Sequence, residues 1–406
     1  MAYITDLSTQ DLTVFDPQAW SAEIQKTYFK ENVGRALVNE SLTSELTAGT
    51  RINRPYRKTL VGTDYTKGTA ISSWNNLGGT NEYLDVDQIK IVPSYVDDLD
   101  ALHNKWDIAM VAAQDSGKAL NNLIDQKIFS QYSNAASYIS AQDLGGSGTG
   151  AAAISIANVA NLFTVAGRNL DNYNRGQESR FALIGPRLRE LLRLYVGSRE
   201  TAFGDTVSAN GKIGTRFGFD LYFTNNIPFS CAITTSSIPV DGETITVGPV
   251  TFTWEAAGAN CSTAGEVSIG ASEDAAYANL VLAINGTTAG TTSTYCEVSD
   301  DDREFLSQAG ITASYTAHAL VISGYGDVPI TEATTNCAVT TNIQYPLFGV
   351  KNAIDFVVLK EPHVEFRTCE NLLGRKIYAW TNYGVKTFTK EKKSLVYAKV
   401  DTSSWV

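Results

Sequence analysis

Between Arg216 and Lys351 the chain carries a single basic residue, Arg303. No other feature limits its fold as much. Residues 231–345 hold 13 Asp/Glu against one Arg, a net charge of −12, whereas the remainder has 30 acidic and 31 basic residues. Two bodies with different surface requirements share one chain, and at 406 residues it exceeds a single ordinary core. The acidic stretch has an order of its own. "GETITVGPVTFTWEA" reads as a pair of strands turning near Gly248–Pro249. Ser272 caps a helix, "SEDAAYANLVLAING", with Glu273 and Asp274 in its first turn and Asn285–Gly286 ending it. "YCEVS", "ITASYTAHALVISGY" and "CAVTT" add β-structure. The stretch is entered after one body strand and left before another, the pattern of an inserted domain.

The body holds three informative segments. Residues 17–39 read as an amphipathic helix with Asp16 as N-cap, Pro17 at the first helical position and a stripe of Trp20, Ile24, Tyr28 and Ala36/Leu37. This helix precedes any domain-sized pattern, so it reads as an arm that packs on something else. Residues 49–92 alternate short β-prone runs with Gly, Asn and Asp; Arg51, Arg54, Arg57, Lys58 and Lys67 crowd the first half. A long hairpin or extended loop fits, with too little apolar surface to hold itself, so it is either disordered or ordered by a neighbour. Residues 97–132 have no proline and one glycine. Leu99, Leu102, Trp106, Met110, Ala113, Leu120, Ile124 and Ile128 fall at helical spacing. One continuous helix of about 54 Å is expected there, with Asp97, Asp98 and Asp100 at its positive end.

Further along, helices at 156–170 and from Pro186, strands at 180–186 and 218–226, and the apolar run 352–361, suited to a central strand, complete a mixed pattern. Strands from 363 onward close the chain. Helices and strands mix without strict βαβ alternation, which makes the class α+β. The glycines of 144–155 are followed by no Lys and trail a helix, so they are a link and not a phosphate loop.

In this order of elements the chain resembles the major capsid proteins of tailed bacteriophages with the HK97-type fold, and among them coat proteins of the P22 type. Two short stretches add to it: "NNIP" at 225–228 and "KNAIDFVV" at 351–358 flank the acidic segment, as similar stretches flank an inserted domain in that group. The resemblance implies an N-arm at 1–47, an E-loop at 48–93 and the spine helix of the P-domain with a linker at 94–155. It implies a first part of the A-domain at 156–230 and an inserted domain at 231–345. An A-domain return at 346–362 and P-domain strands at 363–406 follow. The insert resembles a small α/β module of phage structural proteins and departs from the β-barrel insert of P22 itself.

The implied function is self-assembly into the icosahedral head shell. Partners would be further copies of the chain in hexamers and pentamers, a separate scaffolding protein, a portal, a decoration protein and, without sequence preference, packaged double-stranded DNA. Assembly would take place in the host cytoplasm and the product would be the virion. On that reading a near-neutral body limits repulsion between packed copies, while the acidic module keeps a large particle soluble. The alternative for the insert is an ordinary acidic domain without an assembly role.

Chemistry is sparse. His103, His318 and His363 lie beside no nucleophile, and no Ser-His-Asp, HExxH or GxSxG pattern occurs. Asp300, Asp301 and Asp302 lack the alternation and glycine of a calcium loop and read as a solvated acidic turn. No catalytic residue, metal or cofactor is expected. Cys231, Cys261, Cys296, Cys337 and Cys369 show no metal spacing; buried free thiols are preferred to two disulfides in any of three pairings. No basic n-region with an apolar h-region opens the sequence and no 18 apolar residues run together, so neither signal peptide nor membrane span is expected. The candidate contacts between copies are Arg51, Arg54, Arg57, Lys58 and Lys67 against Asp97, Asp98 and Asp100, with Trp20 and Tyr28 from the arm. Ion pairing is preferred to nucleic-acid binding for the basic set, and to a Lys58 or Lys67 crosslink with Asn382. The rival class is a secreted or surface carbohydrate-binding adhesin, for which Trp254, Tyr277, Tyr295 and Tyr325 would supply the aromatic platform.

Overall fold

A computed structural model describes residues 30–46, 49–103, 107–198, 215–256, 261–286, 294–370 and 373–403. Trp20, Tyr28 and most of the expected arm helix lie outside them. Where that helix enters the described residues it is not an α-helix. Gly34–Ala36 is one 3-10 turn, because the Asp125 carboxylate takes the Val33 and Gly34 amides at 2.9 and 3.2 Å. Strands β1 (Arg51–Arg57) and β2 (Gly79–Asp85) pair antiparallel, and β3 (Gln88–Asp97) follows. The single long helix is also corrected. It is two helices, α1 (Asp98–His103) and α2 (Ile108–Phe129). Asp107 lies outside helical geometry (φ −77°, ψ 79°) and its carboxylate accepts from Met110 N, so it starts a new helix instead of continuing one.

Strands β4 (Ser137–Ile139) and β5 (Ala152–Ala153) lead to α3 (Val159–Asn172), β6 (Arg180–Ile184), α4 (Pro186–Gly197) and β7 (Asp220–Phe223). Next come β8 (Pro228–Thr235), β9 (Thr244–Val247), β10 (Val250–Glu255), β11 (Glu266–Ser268), α5 (Glu273–Asn285) and α6 (Asp300–Gln308). β12 (Thr312–Thr316), β13 (Ala319–Tyr325), β14 (Ile330–Ala333) and β15 (Cys337–Gln344) follow. The chain closes with β16 (Leu347–Val350), β17 (Asp355–Thr368), β18 (Gly374–Lys386), β19 (Leu395–Ala398) and β20 (Val400–Asp401).

The five-stranded sheet β4-β19-β16-β6-β7 is the centre of the body. All five residues of β6 are buried. Ala182 and Ile184 face a cluster built on α3 and α4, while Phe181 and Leu183 face one shared with Ile124, Ile128 and Phe129 of α2. Beside it lies the three-stranded sheet β17-β18-β3. One expectation changes here. The run 352–361 forms no central strand, since β17 is an edge and β18 lies between it and β3. It is apolar because both faces are covered, Phe356 and Val358 by the α2-side cluster and Val357 by the hairpin root. Position 362 falls inside a strand. β17 runs through it unbroken, and β19 and β20 pair with β16 and β15 in the body.

Residues from Phe229 to Cys337 share one hydrophobic cluster that includes Trp254, Tyr277 and Tyr295. β8 and β15 enter and leave it side by side, in antiparallel register from Thr235↔Cys337 to Phe229↔Gln344. β9 and β10 turn at Gly248–Pro249, Ser272 caps α5 through Ala275 N, and Gly286 ends that helix at φ 58°. The three aspartates form no solvated turn. They are the first turn of α6, capped by Ser299 on Asp302 N, where the helix dipole favours them. The cluster is moored to the body by amides: Asn122 and Gln126 of α2 both donate to Gln308 O, at 3.1 and 3.0 Å.

Candidate assembly surface

The β1–β2 hairpin is rooted by one inward pair. Ile52 and Leu84 are register partners and pack with Leu42, Leu46, Val86, Val357 and Phe388. Gly384 allows the approach, since a Cβ there would stand 2.4 Å from Asp85 O. Polar clamps surround the root. Arg51 Nε donates to Asp85 at 2.6 Å with its guanidinium 3.8 Å from the Tyr83 ring centroid. Glu82 accepts from the Thr389 amide and hydroxyl. Burial alone would raise its carboxyl, but these bonds and Lys386 hold it below the usual carboxylate range. Arg54 Nη1 reaches Asp355 at 2.7 Å, and Asn39 Nδ2 holds the other oxygen of that carboxylate at 2.6 Å. Asp355 is 1% exposed and Arg54 45%. Burial pushes the Asp355 carboxyl up, and Asn39 and Arg54 pull against it. One carboxylate thus ties the N-terminal segment, the hairpin and β17 together.

Past the root this support ends. Residues 58–78 contain no strand, and every one of them is exposed. Trp74 is 80% exposed, Leu77 69% and Tyr65 66%; Leu60, Val61 and Ile71 are also uncovered. The Asn75 side chain bonds both polar backbone atoms of Val61, which shapes the loop without burying it. A second uncovered apolar surface lies on the three-stranded sheet. One face packs on α2; on the other, Ile89, Ile91 and Tyr95 of β3 are exposed beside the half-buried Tyr378 and Trp380 of β18. Monomeric proteins rarely leave contiguous apolar surface of this kind open.

The sequence-derived candidates divide into two groups. Arg51 and Arg54 are engaged within the chain, by Asp85 and Asp355. Reversing Arg54 would therefore strand a buried carboxylate, so it does not test contacts between copies cleanly. Arg57, Lys58 and Lys67 are exposed and have no ion pair among the described residues. Asp97 accepts from Tyr95 Oη and Leu99 N, Asp98 lies 3.8 Å from Arg375 Nε, and Asp100 is exposed. The basic and acidic sets do not meet within the chain. Sequence reading passed over Asp355, whose signal was one carboxylate inside "NAIDFVV". It also named none of the loop's large apolar residues, reading only that the segment has too little apolar surface to hold itself.

The remaining reactive groups are structurally committed or exposed. His318 Nδ1 lies 2.8 Å from Glu273, His363 is exposed on β17 and His103 is exposed on α1. All five cysteines are free thiols, and burial pushes Cys231 up to about 12. Among the described residues no group of three His, Cys, Asp or Glu side chains could hold a metal ion, and no helix is long and apolar enough to cross a membrane.

No family model and no curated protein matches the sequence. Solved structures do match. A chain from Mycobacterium phage Che8 is 13% identical and superposes with a TM-score of 0.56, over 95% of this chain and 97% of that one. The capsid structure of cyanophage P-SCSP1u gives 12% identity and a TM-score of 0.53, over 96% and 94%. The capsid of Ralstonia phage GP4 gives 10% and 0.51, over 99% and 98%. Over nearly its whole length the protein has the fold of phage capsid structures.

Proposed function

We propose that this protein is the major capsid protein of a tailed bacteriophage, a subunit of the icosahedral shell around double-stranded DNA. The observation that carries the reading is the match to capsid structures over nearly the whole chain. The adhesin reading gains nothing from these comparisons. Its aromatic platform is also spent, because Trp254, Tyr277 and Tyr295 are buried in their own cluster.

In the proposed mechanism the 58–78 loop lies on a neighbouring copy and covers there what it cannot cover at home. The open face of a neighbour's β3–β18 sheet is a surface of matching character. Each large apolar side chain so buried contributes about 1.5–3 kcal/mol, and many such weak contacts around a closed shell add up. Arg57, Lys58 and Lys67 set register against a neighbour's Asp97, Asp98 and Asp100, with Trp20 and Tyr28 packing from the arm. In capsid terms 48–93 is the E-loop, α2 lies in the spine helix of the P-domain, 156–230 with 346–362 is the A-domain, 231–345 the inserted domain and 363–406 the P-domain strands. A scaffolding protein, a portal and a decoration protein are the expected partners, and assembly takes place in the host cytoplasm. The subunit needs no catalysis for this.

Negative-stain electron microscopy of the sedimented fraction from cells expressing the chain with its neighbouring genes tests the reading. Closed shells, tubes or hexamer sheets are expected. A chain that stays monomeric with its scaffold present overturns it.

A further inference from the structure

Along one side of α4, Arg189 and Arg193 stand one turn apart and half-buried beside a cleft of about 550 Å³. Neither makes an ion pair among the described residues, and the Nε atom of each is buried without a hydrogen-bond partner. The Arg189 guanidinium stacks on the Phe223 ring, 4.2 Å from its centroid, which fixes its plane and covers one face. Burial and the Arg193 charge together lower the pKa of Arg189. A buried donor left unpaired is destabilising, and two like charges side by side add to that. Glu190, the carboxylate beside them on α4, pairs with Arg187 at 3.2 Å, and Glu31 on the cleft wall attracts Arg189 without forming an ion pair with it. A pair of guanidiniums in this condition is half of a contact.

We propose that the cleft binds carboxylates presented by a second copy of this chain, from Asp300 and Asp301 at the start of its α6. The inference rests on the capsid reading, which supplies the second copy. Charge complementarity selects the occupant. Segment 231–345 carries the chain's acidic excess, and much of it is already used: Glu273 by Thr235, Tyr315 and His318, Glu266 by the Ser262 and Thr263 amides, Glu297 by Arg303. Asp300 and Asp301 are adjacent, exposed and without a side-chain partner among the described residues. A nucleic-acid backbone fits less well. It binds through a run of phosphates along a basic stripe, whereas here two arginines sit in one cleft with Glu31 and Glu190 on its walls. The planar, multi-donor guanidinium heads match the fork of a carboxylate better than a single point charge would.

The test is a charge exchange scored by shell yield in sedimentation and microscopy, with circular dichroism of the subunit as the folding control. Arg193→Glu is expected to lower yield about tenfold or more, the loss of one good pair. Asp300→Arg with Asp301→Arg is expected to do the same, and the combined variant to recover most of the yield. Arg193→Gln is read in the same way should the Glu variant fail to fold. Wild-type yield from the folded Arg193 variant overturns the inference and leaves the capsid reading standing. Two losses without recovery in the combination overturn the occupant. Normal shells that retain less DNA overturn it in favour of phosphate contacts. Absence of shells from the wild type overturns both readings together.

Discussion

Loop 58–78 and segment 231–345 both carry aromatic and aliphatic side chains, and they use them in opposite ways. In the segment Trp254, Tyr277 and Tyr295 disappear into a shared cluster, with Trp254 edge-on to Tyr277 at 5.5 Å. In the loop Trp74 and Tyr65 face solvent. The difference lies in arrangement. The segment's apolar residues alternate along strands and recur along α5, so several elements can present one face to a common centre. Those of the loop are isolated between Gly, Ser, Thr and Asn, and no two elements bring them together. The first region is complete within one chain, and the second is left uncovered by it.

The largest effect that would break this contrast is in the segment. Trp254→Ala is expected to cost about 3–5 kcal/mol in denaturant unfolding, as large-to-small changes in a packed core do. A cost under about 1 kcal/mol would mean the segment has no core of its own. Next comes the hairpin root. Arg54→Glu should destabilise the isolated subunit by about 3 kcal/mol, since it faces a buried carboxylate with another, while Arg57→Glu should stay within about 0.5 kcal/mol. Equal effects at the two positions in chemical denaturation would remove Asp355 as the tie.

The third prediction concerns the latch on α2. Burial raises Asp125 to about 6 against the pull of the Val33 and Gly34 amides. The folded chain therefore holds a proton between about pH 4 and 6 that the unfolded chain releases. The stability this contributes is complete below about pH 4 and is lost as pH rises through 6. Relative to Asp125→Asn, the wild type should lose about 2–3 kcal/mol across that window; a constant difference in urea midpoints would contradict the buried carboxylate. The smallest effect on the subunit sharpens the comparison most. Trp74→Ala with Leu77→Ala should leave unfolding unchanged within about 0.5 kcal/mol yet lower shell yield. Unchanged yield would detach the loop from assembly.

Much of the local structure was legible in advance because its signals are local. The Ser272 cap, the Gly286 stop and the Gly248–Pro249 turn depend on residues a few positions apart, and the structure has them where the sequence puts them. The errors fell where a distant group intervened. Helical periodicity ran unbroken through 97–132, but Asp107 caps a second helix. Over its described residues, 30–39, the expected arm helix is absent, because Asp125, far along the chain, takes the Val33 and Gly34 amides. The apolar run at 352–361 looked central, although its burial comes from two different clusters on an edge strand. Of the candidate surface, the basic residues were legible as a set. Which of them are already paired was not, since Asp85 and Asp355 meet them only through strand pairing and packing.

The sequence by itself determined the charge break, the two kinds of body and most element ends, because composition, period and capping act within a turn or a strand. Only the tertiary structure decided that β17 is an edge, that β19 and β20 return to the body sheets, and that Asp355 joins three segments. It also decided that the 58–78 loop is left bare. Those facts depend on which surfaces meet across hundreds of residues, and a buried contact leaves no periodic trace in either of the segments that make it.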